Sequence, residues 1–192
     1  MATIYFLTHP EVVIDPAVPI PRWPLSELGR RRMARFLEAP ALADLVAVYS
    51  SDEQKALDGA EMAADVLGVT YGVDPELGEN DRSATGYLPP VEFWPLVELF
   101  FARPDENVRG WESARAAQAR IVRAFNRAAE QAPPGDLLIV SHGGVGRLLA
   151  AHLAGVEIGQ EDRPAHPGGG CWLEIDRERR AITRTWQAIA DD

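Results

Sequence analysis

Asp136-Leu-Leu-Ile-Val-Ser-His-Gly-Gly144 is a short apolar run that stops at a histidine and two glycines. Thr3-Ile-Tyr-Phe-Leu-Thr-His-Pro-Glu11 has the same build near the N-terminus. Apolar runs of this length and composition read as buried strands of a mostly parallel sheet. In an open α/β sheet, ligands bind in the crevice outside the carboxyl ends of the strands. A histidine at each strand end therefore aims two imidazoles, His9 and His142, at one pocket. One such histidine alone would read as a strand cap satisfied by a backbone carbonyl. Two in the same setting point to a site.

Working outward from these strands, the pattern alternates. Ile4–Leu7 is followed by a proline-dense loop, Pro10 to Pro24. Ser26 then offers an N-cap for a helix carrying Leu28, Met33, Phe36 and Leu37. Leu45–Tyr49 reads as a strand, the segment after Ser51 as a helix closed by Gly68, and Val69–Val73 as a third strand. Asp74 to Pro90 is a long loop, and loops of this length inside a compact domain are usually functional. Val91–Ala102 reads as helical, with Pro95 expected to kink or split it. Glu112–Ala132 is a long amphipathic helix, Leu137–Ser141 a strand and Val145–Leu153 a helix. Cys171–Ile175 and Ile182–Ile189 alternate as antiparallel strands at a sheet edge. The expected architecture is a three-layer α/β/α sandwich with a mostly parallel sheet and an antiparallel edge, one domain over residues 1–192.

Composition narrows the function classes. Hydrophobic residues at 46% and charged residues at 25% suit a globular chain. A single cysteine, Cys171, excludes an internal disulfide and fits a reducing compartment. The opening residues lack the basic stretch and long apolar run of a leader, and no stretch approaches the roughly 18 apolar residues of a membrane span. The expectation is a cytoplasmic protein that engages neither membrane nor nucleic acid. A net charge of −10 argues against a phosphate backbone as partner. Any small anion must be held by a local positive pocket. The cluster Arg30, Arg31, Arg32 and Arg35 reads as a solvated helix face.

Two strand-end imidazoles suit phosphoryl transfer. A neutral imidazole nitrogen at His9 can attack phosphorus. A protonated His142 and nearby cations would stabilise the charge on the equatorial oxygens. A carboxylic acid must then protonate the leaving oxygen, and Glu79 in the long loop is placed for it. Lys55, on the first turn of the helix after Ser51, can reach the same crevice. Helix N-termini after His142 and Ser51 add free N–H groups, Gly143 among them.

These residues fall in an ordered series that resembles the histidine phosphatase superfamily, with its phosphoglycerate mutase-like fold. The series runs Leu7-Thr8-His9-Pro10-Glu11, Pro24-Leu-Ser-Glu-Leu-Gly29, Ser50-Ser-Asp-Glu-Gln-Lys-Ala56, Leu77-Gly-Glu79, Gly110-Trp-Glu-Ser113 with Arg120, and Val140-Ser-His-Gly-Gly144. The resemblance covers residues 3 to 150. It implies a phosphomonoesterase working through a phosphohistidine, with His9 as nucleophile, Glu79 as proton donor and His142 in the phosphoryl clamp. It further implies a small phosphorylated substrate or inorganic phosphate as ligand, and no cofactor or metal.

The departures bear on that clamp. Where the family carries arginine, glycine and a second arginine, this chain carries Thr8, Pro10 and Lys55. Asp15 stands at the family's loop asparagine. A lysine is a point charge and does not replace a bidentate fork. Arg82, three residues beyond Glu79, is the first candidate to supply the missing guanidinium, and Arg22 the second. Thr8 and Gly143 complete the expected phosphate-binding set. The alternative is a catalytically impaired relative that binds an anionic ligand or a protein partner. A metal site built from His9, Asp15, Glu79 and His142 lacks close ligand spacing, and an α/β-hydrolase lacks its Gly-x-Ser-x-Gly elbow. His152 reads as a core or interface histidine, and His166 and Gly168–Gly170 as a loop and turn.

Overall fold

Alternation along the two quoted strands sorts the molecule into layers. Ile4 and Phe6 of β1 (Thr3–Thr8) pack with Leu137 and Ile139 of β4 (Asp136–Ser141) in one apolar cluster. Their neighbours Tyr5, Leu7, Leu138 and Val140 pack in a second cluster on the opposite face. Both faces of these central strands are dry, as buried parallel strands require. The computed structural model describes residues 2–164 and 169–189.

The first cluster is closed by Phe100 and Phe101 of α3 (Pro90–Ala102), by the apolar stripe Ile121, Phe125 and Ala128 of α4 (Ala114–Gln131), and by α5 (Gly143–Ala154). The second is closed by Met33 and Phe36 of α1 (Glu27–Leu37) and by Ala56, Ala60 and Ala63 of α2 (Gln54–Leu67). The result is a three-layer α/β/α sandwich. Its single sheet runs β3-β2-β4-β1-β5-β6, with β2 at Leu45–Ser50, β3 at Tyr71–Val73, β5 at Cys171–Asp176 and β6 at Ala181–Ala188. The ladders β3-β2, β2-β4 and β4-β1 are parallel, and β1-β5 and β5-β6 are antiparallel. The mostly parallel sheet with an antiparallel edge is as expected from the sequence.

Element ends differ from the sequence reading in instructive ways. Ser113, not Glu112, caps α4, its hydroxyl accepting from Ala116 N at 3.2 Å. Pro95 sits inside one continuous α3 without dividing it. That helix has few buried residues, so the N–H that Pro95 cannot supply costs little there. Gly68 and Gly155 take left-handed φ values of 67° and 66° at the C-termini of α2 and α5, the conformation glycine adopts without a Cβ penalty. His152 is exposed in the last turn of α5 rather than buried in the core. His166 and Gly168 lie outside the described residues. Among the described residues, no helix is long and apolar enough to cross a membrane.

Candidate active site

β1 and β4 are adjacent and parallel, so their C-terminal ends open side by side. His9 follows Thr8 directly, and its backbone N–H continues the ladder to Ser141 O at 2.9 Å. His142 is the N-cap of α5 and is wholly buried. The two rings stand edge to face, 5.1 Å between centroids and 67° between planes. The juxtaposition inferred from two distant strand ends is therefore present.

His9 has a defined tautomer. Its Nδ1 lies 2.8 Å from Pro10 O, an oxygen that can only accept. Nδ1 therefore carries the proton and Nε2 keeps its lone pair. Burial, then the nearby His142 and Lys55, push the His9 imidazole down to a pKa of about 3. The ring is neutral at neutral pH.

His142 is held from the other side. Its Nε2 lies 2.7 Å from Ser51 Oγ and 3.4 Å from Glu53 Oε1. Its Nδ1 has no hydrogen-bond partner among the described residues. Burial lowers the pKa of His142, while Glu53 and Glu79 oppose that shift.

Glu79 sits on the N-terminus of α5. Its Oε2 accepts from Gly144 N at 2.9 Å, and its Oε1 from Val145 N at 3.0 Å and Asn80 N at 3.1 Å. Its two oxygens thereby satisfy N–H groups that a helix start leaves without a partner. The N–H groups expected to face a phosphate are thus taken by Glu79, with the exception of Gly143, which lines the cavity. Gly144 is required here: a Cβ would lie 2.5 Å from Glu79 Oε1. Arg120 braces the loop beneath, donating to the carbonyls of Glu76, Gly78 and Glu79 and pairing with Glu112 at 2.7 Å. Gly29 does similar work for the loop after His9, since a Cβ would lie 2.1 Å from Glu11 O.

Several expected phosphate ligands have other duties. Lys55 is buried, its ammonium donating to Ile20 O at 3.0 Å and paired closely with Glu53. A buried lone ammonium is costly, and Glu53 supplies the counter-charge. Lys55 is therefore not a free clamp. The Thr8 hydroxyl donates to Cys171 O at 3.1 Å and accepts from Cys171 N at 3.0 Å, which ties β1 to β5. It borders the cavity but is already satisfied. Arg22 is exposed and does not line the cavity. Asp15 is exposed and accepts from Ala17 N at 2.9 Å. The quartet considered for a metal is therefore not assembled, and Asp15 adds no negative charge to the pocket.

Arg82 does reach the site. It lines the cavity with its guanidinium 5.1 Å from the Phe93 ring centre and 5.9 Å from that of Trp111.

Two functional neighbours were not expected from sequence. Glu53, the N-cap of α2, is 8% exposed, touches His142 and Lys55, and accepts from Glu79 N at 2.9 Å. Lys55 and His142 outweigh burial and hold its carboxyl at a pKa of about 2. Asn80 lines the cavity, is 6% exposed, and its Nδ2 lacks a partner among the described residues. The cavity encloses about 490 Å³ and is bordered by His9, whereas His142 lies behind its wall and does not line it. Trp94 lines it, whereas Trp23 is buried against Tyr87 elsewhere.

The site thus gathers a ring nitrogen with a free lone pair, a second imidazole, and a carboxylate that caps the adjoining helix, all at one strand-end crevice. The chain belongs to the histidine phosphatase superfamily (branch 1), whose family model matches residues 20–187. The match begins beyond the substituted Thr8-His9-Pro10. No curated protein matches the chain in sequence. Among solved structures, a mycobacterial glucosyl-3-phosphoglycerate phosphatase shares the fold at 20% identity and TM-score 0.78, with 100% of both chains covered. The same mycobacterial enzyme in complex with inorganic phosphate is similar at 21% identity and TM-score 0.77, covering 100% of this chain and 98% of that one. YhfR of Bacillus stearothermophilus is similar at 21% identity and TM-score 0.77, again with 100% and 98% covered.

Proposed function

We propose that this protein is a one-domain, cytoplasmic phosphoric monoester hydrolase acting through a phosphohistidine. The observation that carries the reading is the His9 tautomer: Nδ1–H is committed to Pro10 O, so Nε2 offers a lone pair beside His142. In the first step Nε2 of His9 bonds to phosphorus as the bond to the ester oxygen breaks, and Glu79 gives that oxygen a proton. In the second, water bonds to phosphorus as the phosphorus–nitrogen bond breaks and its electron pair returns to His9 Nε2, Glu79 takes the water's proton, and phosphate leaves. His142, Arg82, the Asn80 amide and the Gly143 N–H hold the phosphoryl oxygens. Of the expected set of Thr8, Lys55, Arg82, Gly143 and His142, this keeps Arg82, Gly143 and His142, adds Asn80, and leaves out Thr8 and Lys55, whose polar groups are already partnered. The bound phosphate and VO3 in the mycobacterial phosphatase structures support a phosphate-type ligand for this fold.

The test is turnover and trapping. Wild-type protein incubated with a panel of phosphate esters should release phosphate and carry acid-labile phosphate on His9. His9→Ala should lose at least about 10³-fold in rate, the scale of a removed nucleophile. Wild-type turnover no faster than that of His9→Ala overturns the reading and leaves a protein that only binds anions.

A further inference from the structure

The walls of the cavity carry information that the two histidines do not. Val12 and Ile14 from the loop after β1, Phe93, Trp94 and Val97 from α3, and Trp111 present apolar surface above the reacting centre. Ile14 and Trp94 remain 58% and 48% exposed where the cavity opens. At about 490 Å³ the space exceeds what one phosphate fills, and it falls within the range of small-molecule pockets.

The charges around it are mostly spent. Arg147 is bound to Glu161 at 2.6 Å and its guanidinium lies 3.5 Å from the Phe101 ring centre. Arg163 pairs with Glu98 at 3.2 Å, and Lys55 with Glu53. Glu11, Glu79 and Glu98 all border the same space. Among the described residues lining the cavity, Arg82 is the one cation with no carboxylate partner. A second negative charge on a substrate would therefore face carboxylates without a cation of its own. Unpaired charge in such a place is costly, whereas an apolar group there gains by leaving water.

We propose that the site selects phosphate monoesters of apolar alcohols and discriminates against phosphorylated acids and polyols. The inference rests on the phosphatase reading above and names its substrate class. The phosphoryl group lies at His9 with Arg82 as its guanidinium partner, and the carbon body lies against Phe93, Trp94 and Val97. An aromatic body extends the stack that Arg82 already makes on Phe93 and Trp111.

Three esters with comparable alkyl leaving groups test this: 2-phenylethyl phosphate, glycerol 3-phosphate and 3-phosphoglycerate. The kcat/KM for 2-phenylethyl phosphate should exceed that for glycerol 3-phosphate by roughly 100-fold, the scale of a few well-buried carbons. The value for 3-phosphoglycerate should be lower still. Trp94→Ser, at a half-exposed position, should narrow the first ratio about tenfold. Glu98→Gln, also exposed, frees Arg163 and should raise kcat/KM for 3-phosphoglycerate about tenfold, leaving the phenylethyl ester ahead. Equal or faster turnover of 3-phosphoglycerate, or ratios that neither variant moves, overturns the proposal. If no ester is turned over, the phosphatase reading fails instead. Calorimetric binding of the same three esters then decides the ligand class: tightest binding of the phenylethyl ester supports it, and equal or reversed affinities overturn it.

Discussion

The two histidines sit 5.1 Å apart in settings of opposite character. Around His142 the sequence matches the family pattern, and the environment is built from charge. Glu53, Ser51, Glu79 and the α5 N-terminus all converge there. Around His9 the sequence departs, and the environment is built from backbone. Pro10 O, Ser141 O and the Thr8–Cys171 pair fix it. The departures have thus been absorbed as structural ties rather than leaving holes. Positions that would hold an anion now hold the protein to itself.

If the His142 side is the charged half, its disruption should cost the most. Glu79→Gln removes the proposed proton donor and weakens the acceptor for Gly144 and Val145. The kcat for an alkyl phosphate should fall by about 10²–10⁴, the usual worth of a positioned general acid. The loss should be much smaller for an ester of an acidic phenol, whose leaving oxygen needs no proton. Equal losses on both esters would mean that Glu79 only caps α5.

Glu53→Gln sharpens the comparison from beneath. The substitution keeps the shape, removes the negative charge between Lys55 and His142, and leaves an ammonium without its counter-ion. Vanadate and inorganic phosphate should bind about tenfold more tightly, a change of about 1.4 kcal/mol from one removed like charge. Thermal stability should fall at the same time, because a buried charge has lost its partner. Unchanged anion affinity, measured by competition against turnover, would place Glu53 outside the anion's field.

The His9 side is tested by Thr8→Val, which keeps the volume and deletes the hydroxyl. Both bonds to Cys171 are lost inside a buried strand pair. The cost should be about 1–3 kcal/mol, read as a lower midpoint in thermal or denaturant unfolding. A variant as stable as wild type would show that the Thr8 hydroxyl is not a structural tie.

How much of this was legible in the sequence follows the same divide. Strand and helix periods, and the histidines that end two strands, are local signals, so the layers and the facing imidazoles could be read directly. Lys55 and Thr8 could not. Their partners, Ile20 O and Cys171, lie 35 and 163 residues away, and only the assembled sheet brings them together. Glu53 and Asn80 gave no periodic signal because Glu53 precedes its helix as the N-cap and Asn80 sits in a loop, and Glu53 meets His142 and Glu79 only in the folded sheet. A glutamate two residues before a lysine near a helix start reads as surface until the strand ends close over both.

The last comparison is between the two imidazoles themselves. His9 is neutral at neutral pH, with burial foremost among the causes and its pKa pushed down to about 3. The unfolded chain takes up a proton near the ordinary histidine value of about 6.5. Between those values the unfolded state binds the extra proton. His9 therefore contributes an acid-side loss of stability that begins as pH falls below about 6.5 and is complete near 3. Glu53, held low beside Lys55 and His142, adds its own loss further down, from its ordinary value towards about 2. In the folded protein, the His9 ring resonances should stay in the neutral form, with Nδ1 protonated, from pH 8 down to 5. A His9 titration step near 6.5 in the folded state would break the comparison, because it would put a proton on the Nε2 that the proposed mechanism requires to be free.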